Sequence, residues 1–444
     1  MRQLLLSLAL LGVVTVNAQD KTAFTLAESI AYALEHNEQV RIASLETEIS
    51  DAVVGETRSQ GLPQVDVNGA INYNYQIQRS IIDISTFDPN IPEGTEQEVA
   101  FGQTYDGNLA IGARQLIFDG SYFVGLQAAK TYRELSAKEL DRTRIDINEA
   151  VSKAYFTVLI SRENLEVLEK NYDRIDTLLY ETKAMYENGF AEKIDVDRIQ
   201  VSLNNLKVNL DRSRRLNDVS LKLLKFQMGY PLNEDIKLVD KLEDVNLEVP
   251  VIPEDFNYND RIEFSQAITN QNLARLDLKN NRVMRLPKIY ANFNYGYNTA
   301  TSLSEQWFQT DRWLNFGAVG LTVSVPIFDG LRKASKIQQN QLQIDQLELQ
   351  KSLLRRNIDI EIERATVDLN SSLEALKVQE ANMELASEVF EITKTKYQEG
   401  VGSNLEVVEA DSDLKEAQNN YFSALYDAIL AKIELQKAIG QLNQ

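Results

Sequence analysis

Cysteine is absent from all 444 residues. That excludes a disulfide framework, a thiolate metal site and the lipid-bearing cysteine of a bacterial lipoprotein. Proline is scarce at 8, so little stands in the way of very long helices. Histidine occurs once, at His36, flanked by Glu35 and Asn37. It reads as a polar surface residue, not as a ligand or a catalytic base. Positive charge is in deficit: 46 Lys and Arg stand against 66 Asp and Glu, for a net charge of -20. Phosphate backbones need a basic surface, so nucleic acid is excluded as a partner. The chain also lacks a phosphate-binding loop, a nucleophile motif and a metal-ligand cluster. The expectation is a protein that is not an enzyme, with no cofactor and no metal.

Long apolar runs are missing too, except at the start. Met1 to Ala18 has the form of a secretory signal: Arg2, then the apolar stretch Leu4–Val16, then small residues at Val16 and Ala18 before a cut. Beyond it no run reaches the roughly 18 residues of a membrane helix. The mature chain is therefore expected to be exported, and a membrane-spanning form would have to be a β-barrel.

The pattern that is present changes period several times. Thr25 to Ser59 reads as one amphipathic helix opened by the capping box Thr25…Glu28. Gly61-Leu62-Pro63 ends it. Val65 to Gln78 then alternates, with Val65, Val67, Ile71, Tyr73, Tyr75 and Ile77 on one side and Asp66, Asn68, Asn72, Asn74 and Gln76 on the other. A strand of about ten residues, apolar on one face and polar on the other, is the mark of a transmembrane barrel. A polar loop carrying Pro89, Pro92 and Gly94 follows. The next alternating run, Tyr105 to Phe118, slips phase near Gln115-Leu116 as a bulge would. Asp119 is a candidate N-cap for the helix that follows. From Ser121 to about Glu187 the chain has no proline, which at 1.5 Å per residue means a helix about 100 Å long. Such a helix needs a neighbour along its length. A turn at Gly189 sends the chain back through Ile194 to Met228.

After an acidic connector, Leu232 to Asn259, with a strand-like piece at Val245–Val251, the order recurs. Leu286-Pro287 repeats Leu62-Pro63, Ile289–Asn298 and Phe316–Val325 alternate, Phe328-Asp329-Gly330 repeats Phe118-Asp119-Gly120, and a second long helix turns at Gly400-Val401-Gly402. Around the two turns Tyr186, Gly189, Ile194, Asp195 and Val196 match Tyr397, Gly400, Leu405, Glu406 and Val407. The expected organisation is a signal (1–18), a first repeat (19–231, strand hairpin about 65–118), a connector (232–259) and a second repeat (260–444, strand hairpin about 289–325). A period this long signals duplication, not a solenoid.

Four strands cannot close a membrane barrel, which needs at least about 8, and open edges cannot sit in lipid. Chains must pool strands; three would give about 12. The expected fold class is a mixed α and β membrane protein: duplicated strand hairpins plus long helical hairpins, a trimeric β-barrel continued by a periplasmic α-helical barrel. The competing reading is an exported coiled-coil structural or adhesive protein without a pore.

Over about Thr25 to Leu442 the doubled order, the YxxG turns and the segment GSNLEVVEA resemble the TolC-type outer-membrane efflux proteins. The resemblance implies a homotrimer in the outer membrane extending into the periplasm. It implies outer-membrane lipid around the barrel, and a periplasmic adaptor and an inner-membrane pump as partners, for efflux or type I secretion. Glu406 and Glu409 fall where the family's periplasmic gate has two aspartates. Tyr397 and Asp195 match positions of contacts that lock its hairpins together. Gly402 stands where an arginine of that lock would be, so the lock does not carry over whole; Lys193 and Arg198 are the candidate substitutes. The turns at Gly189, Gly400 and Gly402 are candidate adaptor contacts. From the residues alone, Glu406 and Glu409 are three apart and share a helix face. They are either stacked carboxylate rings of a pore or the ordinary acids of a helix start. Tyr73, Tyr75, Tyr295 and Tyr297 have the phase of a lipid-facing aromatic belt. Trp307 and Trp313 belong either to that belt or to packing within their loop.

Overall fold

The structure is a computed structural model that describes residues 22–87, 90–253 and 255–443; the signal reading of 1–18 lies outside them. It divides into two compact units, each drawing on both halves of the chain. One comprises Met1–Ser44, Lys138–Ser265 and Leu353–Gln444, the other Leu45–Ala137 and Gln266–Ser352.

In chain order the elements are β1 (Ala23–Phe24), α1 (Leu26–His36), α2 (Glu38–Ser59), β2 (Gln64–Tyr73), β3 (Arg79–Asp83), β4 (Glu96–Ala100), β5 (Tyr105–Phe118), α3 (Gly120–Glu187), α4 (Lys193–Met228), β6 (Lys237–Leu238), α5 (Ile262–Val283), β7 (Lys288–Thr301), β8 (Leu314–Ser324), α6 (Arg332–Gln398) and α7 (Asn404–Ala438). The long helices α3 and α6 have 68 and 67 residues. No helix among the described residues is long and apolar enough to cross a membrane.

The second unit holds one antiparallel sheet in the order β2-β5-β7-β8. Its ladders run unbroken except for a shift between Leu116 and Phe118, where the alternation slips in the sequence. The Asp119 carboxylate accepts from the Ser121 N–H at 2.8 Å, as its N-cap reading requires. In the first unit, Phe24, Ala33, Val151, Tyr155, Leu159, Leu224 and Met228 form one core around α1, α3 and α4. Tyr155 is fully enclosed, and its hydroxyl donates to the Phe24 carbonyl at 3.1 Å and to Asp240 at 2.9 Å. Asp240 also accepts from the Leu26 N–H, so the connector is tied to both neighbours.

Three expectations change. The helix over Thr25–Ser59 is two helices. Asn37 is extended (ψ 132°), its side chain capping α2 through the Gln39 N–H at 2.8 Å. The break lets the backbone of His36 and Asn37 press against Gly229. The first strand stops at Tyr73, not Gln78. The Asp106 carboxylate accepts from the Asn72 and Asn74 amides, pinning the strand end, and what reads as a polar loop contains the separate hairpin β3–β4. Tyr75 therefore lies outside the ladder and is 87% exposed. Val245–Val251 is not a strand; the connector's strand is β6, which pairs in parallel with β1. Val245 and Leu247 pack instead as side chains against Ile429 and Ile433, which needs no extended pairing.

Candidate functional site

Two regions carry the candidate residues, one in each unit. In the first unit both helical hairpins turn through the same backbone device. Gly189 takes φ +82°, and its N–H donates to the Tyr186 carbonyl while that of Phe190 reaches Met185. Gly400 takes φ +74°, its N–H bonds the Tyr397 carbonyl, and that of Val401 reaches Lys396. Paired bonds of this kind satisfy the last carbonyls of a helix and favour glycine at the left-handed position. Gly402 is not left-handed. It lies so close to the preceding turn that a Cβ would sit 3.1 Å from the Tyr397 nitrogen. A larger residue there would crowd that turn.

The return helices start differently. Ser403 caps α7, its hydroxyl accepting from the Glu406 N–H at 3.3 Å. Glu406 and Glu409 are both exposed, and among the described residues neither carboxylate has an ion-pair partner. At the start of α4, Asp195 accepts from the Glu192 N–H at 3.1 Å and lies 3.8 Å from Arg198 on the same helix. Its carboxylate is thus engaged within its own turn. No hydrogen bond joins it to Tyr397 among the described residues.

Tyr397 is buried, and its hydroxyl meets the Thr182 hydroxyl of α3 at 3.5 Å. It belongs to a core drawn from all four helices, with Leu178 (α3), Leu203 (α4), Phe390 (α6), and Val407 and Leu414 (α7). Next to it Gln398 donates to Glu181 at 2.7 Å. The hairpins are therefore linked near their tips through α3.

The sequence reading missed a buried ion cluster in this core. The Asp411 side chain is 3% exposed and lies 3.3 Å from Arg174, with Lys415 also paired to it. A signal was present: Asn404, Asp411 and Gln418 are polar residues spaced by seven on a helix whose intervening Val407 and Leu414 are apolar.

In the second unit the strand registers sort the side chains onto two faces. Val65, Val67, Ile71 and Tyr73 share a face with Leu109 and Ile111, with Phe293, Tyr295 and Tyr297, and with Val319, Leu321 and Val323. The opposite face carries Asp66, Asn68 and Asn72, then Asp106, Asn108 and Arg114, then Asn292, Asn294 and Asn298, and Thr322. The apolar face stands open, with Ile71, Val319 and Leu321 73%, 81% and 72% exposed, and Asp66, Asn68, Asn298 and Thr322 on the polar face are exposed as well. Trp307 and Trp313 pack together over Gly107, on that same face. The Trp313 indole donates to the Trp307 carbonyl at 3.1 Å. They pack within their loop and on the apolar face at once. Among the described residues, the outer strands β2 and β8 each leave one edge without a partner strand.

A sheet that is polar on one face, openly apolar on the other and unpaired at both edges, in a chain with two long helical hairpins, is an unusual combination. The family model for outer membrane efflux protein matches residues 30–224 and 259–441. The chain belongs to the outer membrane efflux protein family. The chain is 21% identical over 439 residues to outer membrane protein TolC of Vibrio cholerae, covering 95% of this chain and 92% of that one. It is 21% identical to the alkaline protease secretion protein AprF of Pseudomonas aeruginosa, covering 96% and 86%. Among solved structures, the Campylobacter jejuni CmeC outer membrane channel superposes with a TM-score of 0.74 at 17% identity, covering 94% and 85%. The family places the chain in the outer membrane as a transport protein, and the fibre reading is set aside. The two matched segments leave residues 225–258 between them.

Proposed function

We propose that the chain is the outer-membrane exit duct of a tripartite efflux or type I secretion assembly, a passive conduit that opens at its periplasmic end. The observation that carries this reading is the four-stranded sheet with its open apolar face. In lipid that face needs no further cover, whereas the two unpaired edges must be closed by strands. Three copies pool about 12 strands, within the range of membrane barrels. The homotrimer is also supported by the first unit. There α4 exposes Val201 and Val208, and α6 exposes Leu353, Ile360 and Val367, all at intervals of seven. Such stripes pack knobs-into-holes against a neighbouring helix, and a stripe on each of two different helices suits a ring of identical chains.

In this reading Tyr73, Tyr295 and Tyr297 face outer-membrane lipid, and Trp307 and Trp313 stand at its interface. The turns at Gly189, Gly400 and Gly402 meet the periplasmic adaptor, which links the duct to an inner-membrane pump. Glu406 and Glu409 form two carboxylate rings in the trimer, and rings of acid select cations. Tyr397 supports the gate from the hairpin core, and Asp195 from the start of α4. Opening moves the hairpin tips outward and widens the rings.

The test is conductance of the detergent-extracted protein in planar bilayers. The parent should conduct with cation selectivity, and Glu406→Gln with Glu409→Gln should lower that selectivity. Unchanged selectivity and conductance in the double variant would remove the gate assignment. A parent that forms no pore would remove the duct itself.

A further inference from the structure

The ion cluster around Asp411 joins all four hairpin helices at one buried point. Arg174 of α3 approaches Asp411 of α7 at 3.3 Å. The Ser202 hydroxyl of α4 reaches the same carboxylate at 3.5 Å, and Lys415 of α7 pairs with it. The Arg174 guanidinium lies 4.3 Å over the ring of Phe390 of α6, which is fully buried. One turn-pair further from the tip, Asn171 of α3 donates to Gln418 of α7 at 2.7 Å. Toward the tip, the side chain of Asn404 is buried with no hydrogen-bond partner on either amide atom among the described residues.

The rest of this contact is aliphatic: Val407, Ala410 and Leu414 against Ile175, Leu178 and Leu179. Such side chains fit one another at more than one register. A slip of one heptad moves α7 by about 10 Å along its axis. Near the tip the polar residues oppose it most strongly, because a slip parts Arg174 of α3 from Asp411, which keeps only Lys415 of its own helix. A polar pair at a core position is the known means of fixing register at some cost in stability. Asp411 follows Glu409 by two residues and Glu406 by five, so about 3 and 8 Å along the helix separate the cluster from the candidate gate.

We propose that Asp411, through Arg174, is the positioning residue of the gate. It sets the register of α7 against α3 and hence the level and spacing at which Glu406 and Glu409 are presented. The proposal rests on the exit-duct reading and deepens it.

The experiment replaces the pair by apolar residues of similar size, Asp411→Leu with Arg174→Leu, in the full-length protein. Trimer melting and planar-bilayer conductance are measured together. Removing a buried pair as a unit should leave melting unchanged or raised. Conductance should split into more than one level, and cation selectivity should fall by about half or more. Arg174→Lys, which keeps the charge pair, should retain a single level at parental selectivity. A single level at parental selectivity in the Leu/Leu protein overturns the proposal. So does a fall in melting with no change in selectivity, which is what a purely structural pair would give. If the Leu/Leu protein does not assemble, Asp411→Asn, which removes the charge at constant size, is read by conductance levels and selectivity alone, and a single level at parental selectivity there overturns the proposal. A parent that does not conduct sinks the exit-duct reading instead.

Discussion

Asn37 and Arg261 do the same work in the two repeats. The Asn37 amide donates to the carbonyl of Gln227 at 2.9 Å, and the Arg261 guanidinium donates to the carbonyl of Ala438 at 2.9 Å. The donors are 224 positions apart, as are Leu62-Pro63 and Leu286-Pro287, and the acceptors 211 apart, as are Gly189 and Gly400. Each contact closes the end of a return helix onto the start of a short helix. Two unlike side chains thus make corresponding tertiary contacts at matching offsets along the chain.

The glycines beside these contacts should be far more sensitive than those at the hairpin tips. Gly229 and Gly440 are left-handed, and a Cβ would meet the His36 and Asp260 carbonyl oxygens at 2.9 and 2.8 Å. Gly189 and Gly400 are left-handed too, but nothing lies within 4 Å of their missing Cβ. Alanine at the tips should cost only the backbone term, about 1–2 kcal/mol. Alanine at Gly229 or Gly440 should cost more, because backbone must move as well. Thermal melting of the four variants checks this; equal losses at all four would contradict it.

The two faces of the sheet predict opposite tolerance to charge. Leu321→Arg puts a cation on the apolar face and should cost about 2–4 kcal/mol near the bilayer midplane. Thr322→Arg, one residue on, points to the polar face and should assemble nearly as the parent does. The folded fraction in the membrane is the measurement. Similar loss in both variants would refute the assignment of faces.

A charge network between α3 and α7 should set the acid limit of the first unit. Glu149 takes hydrogen bonds from Lys153 at 2.8 Å and from Lys437 at 2.6 Å. Burial alone would raise the pKa of its carboxyl, but the two lysines outweigh it and hold it below the usual 4.5. In Lys153 and Lys437 burial acts downward and is likewise outweighed, so both lie above 10.5. A depressed carboxyl stabilises the fold fully above its unfolded value and loses that contribution as pH falls through the folded value. Raised ammonium groups contribute fully below their unfolded value and lose it as pH rises through the folded one. Stability from this network should therefore be flat between about pH 5 and 10 and fall on either side. Glu149→Gln should lower the plateau and flatten the acid limb in a melting-against-pH series. An acid limb as steep as the parent's would show that other carboxylates control it.

Much of this was written in one dimension. Period two over Val65–Tyr73, Tyr105–Phe118 and the two later strands encodes side-chain direction directly, so the faces of the sheet could be named before any partner strand was known. The lengths of α3 and α6 follow from a lack of breakers, and the turns at Gly189 and Gly400 from glycine after a polar helix. Asn37 was not legible as a break, because asparagine is tolerated inside helices and only the approach of Gly229 makes the kink favourable. The end of the first strand at Tyr73 was hidden for a similar reason. The alternation continues to Gln78, while pairing stops where Asp106 gathers the amides of Asn72 and Asn74.

The candidate site divides along the same line. That Glu406 and Glu409 share a face is a property of helical spacing, and the sequence alone determined it. That Tyr397 is buried against Thr182, that Asp195 turns back on its own helix start, and that Asp411 finds Arg174 were decided only by the tertiary structure. Those contacts join residues more than 200 positions apart, or choose between partners that are equally near in sequence. Local periodicity sets which way a side chain faces, whereas its partner depends on which helix comes to lie beside it.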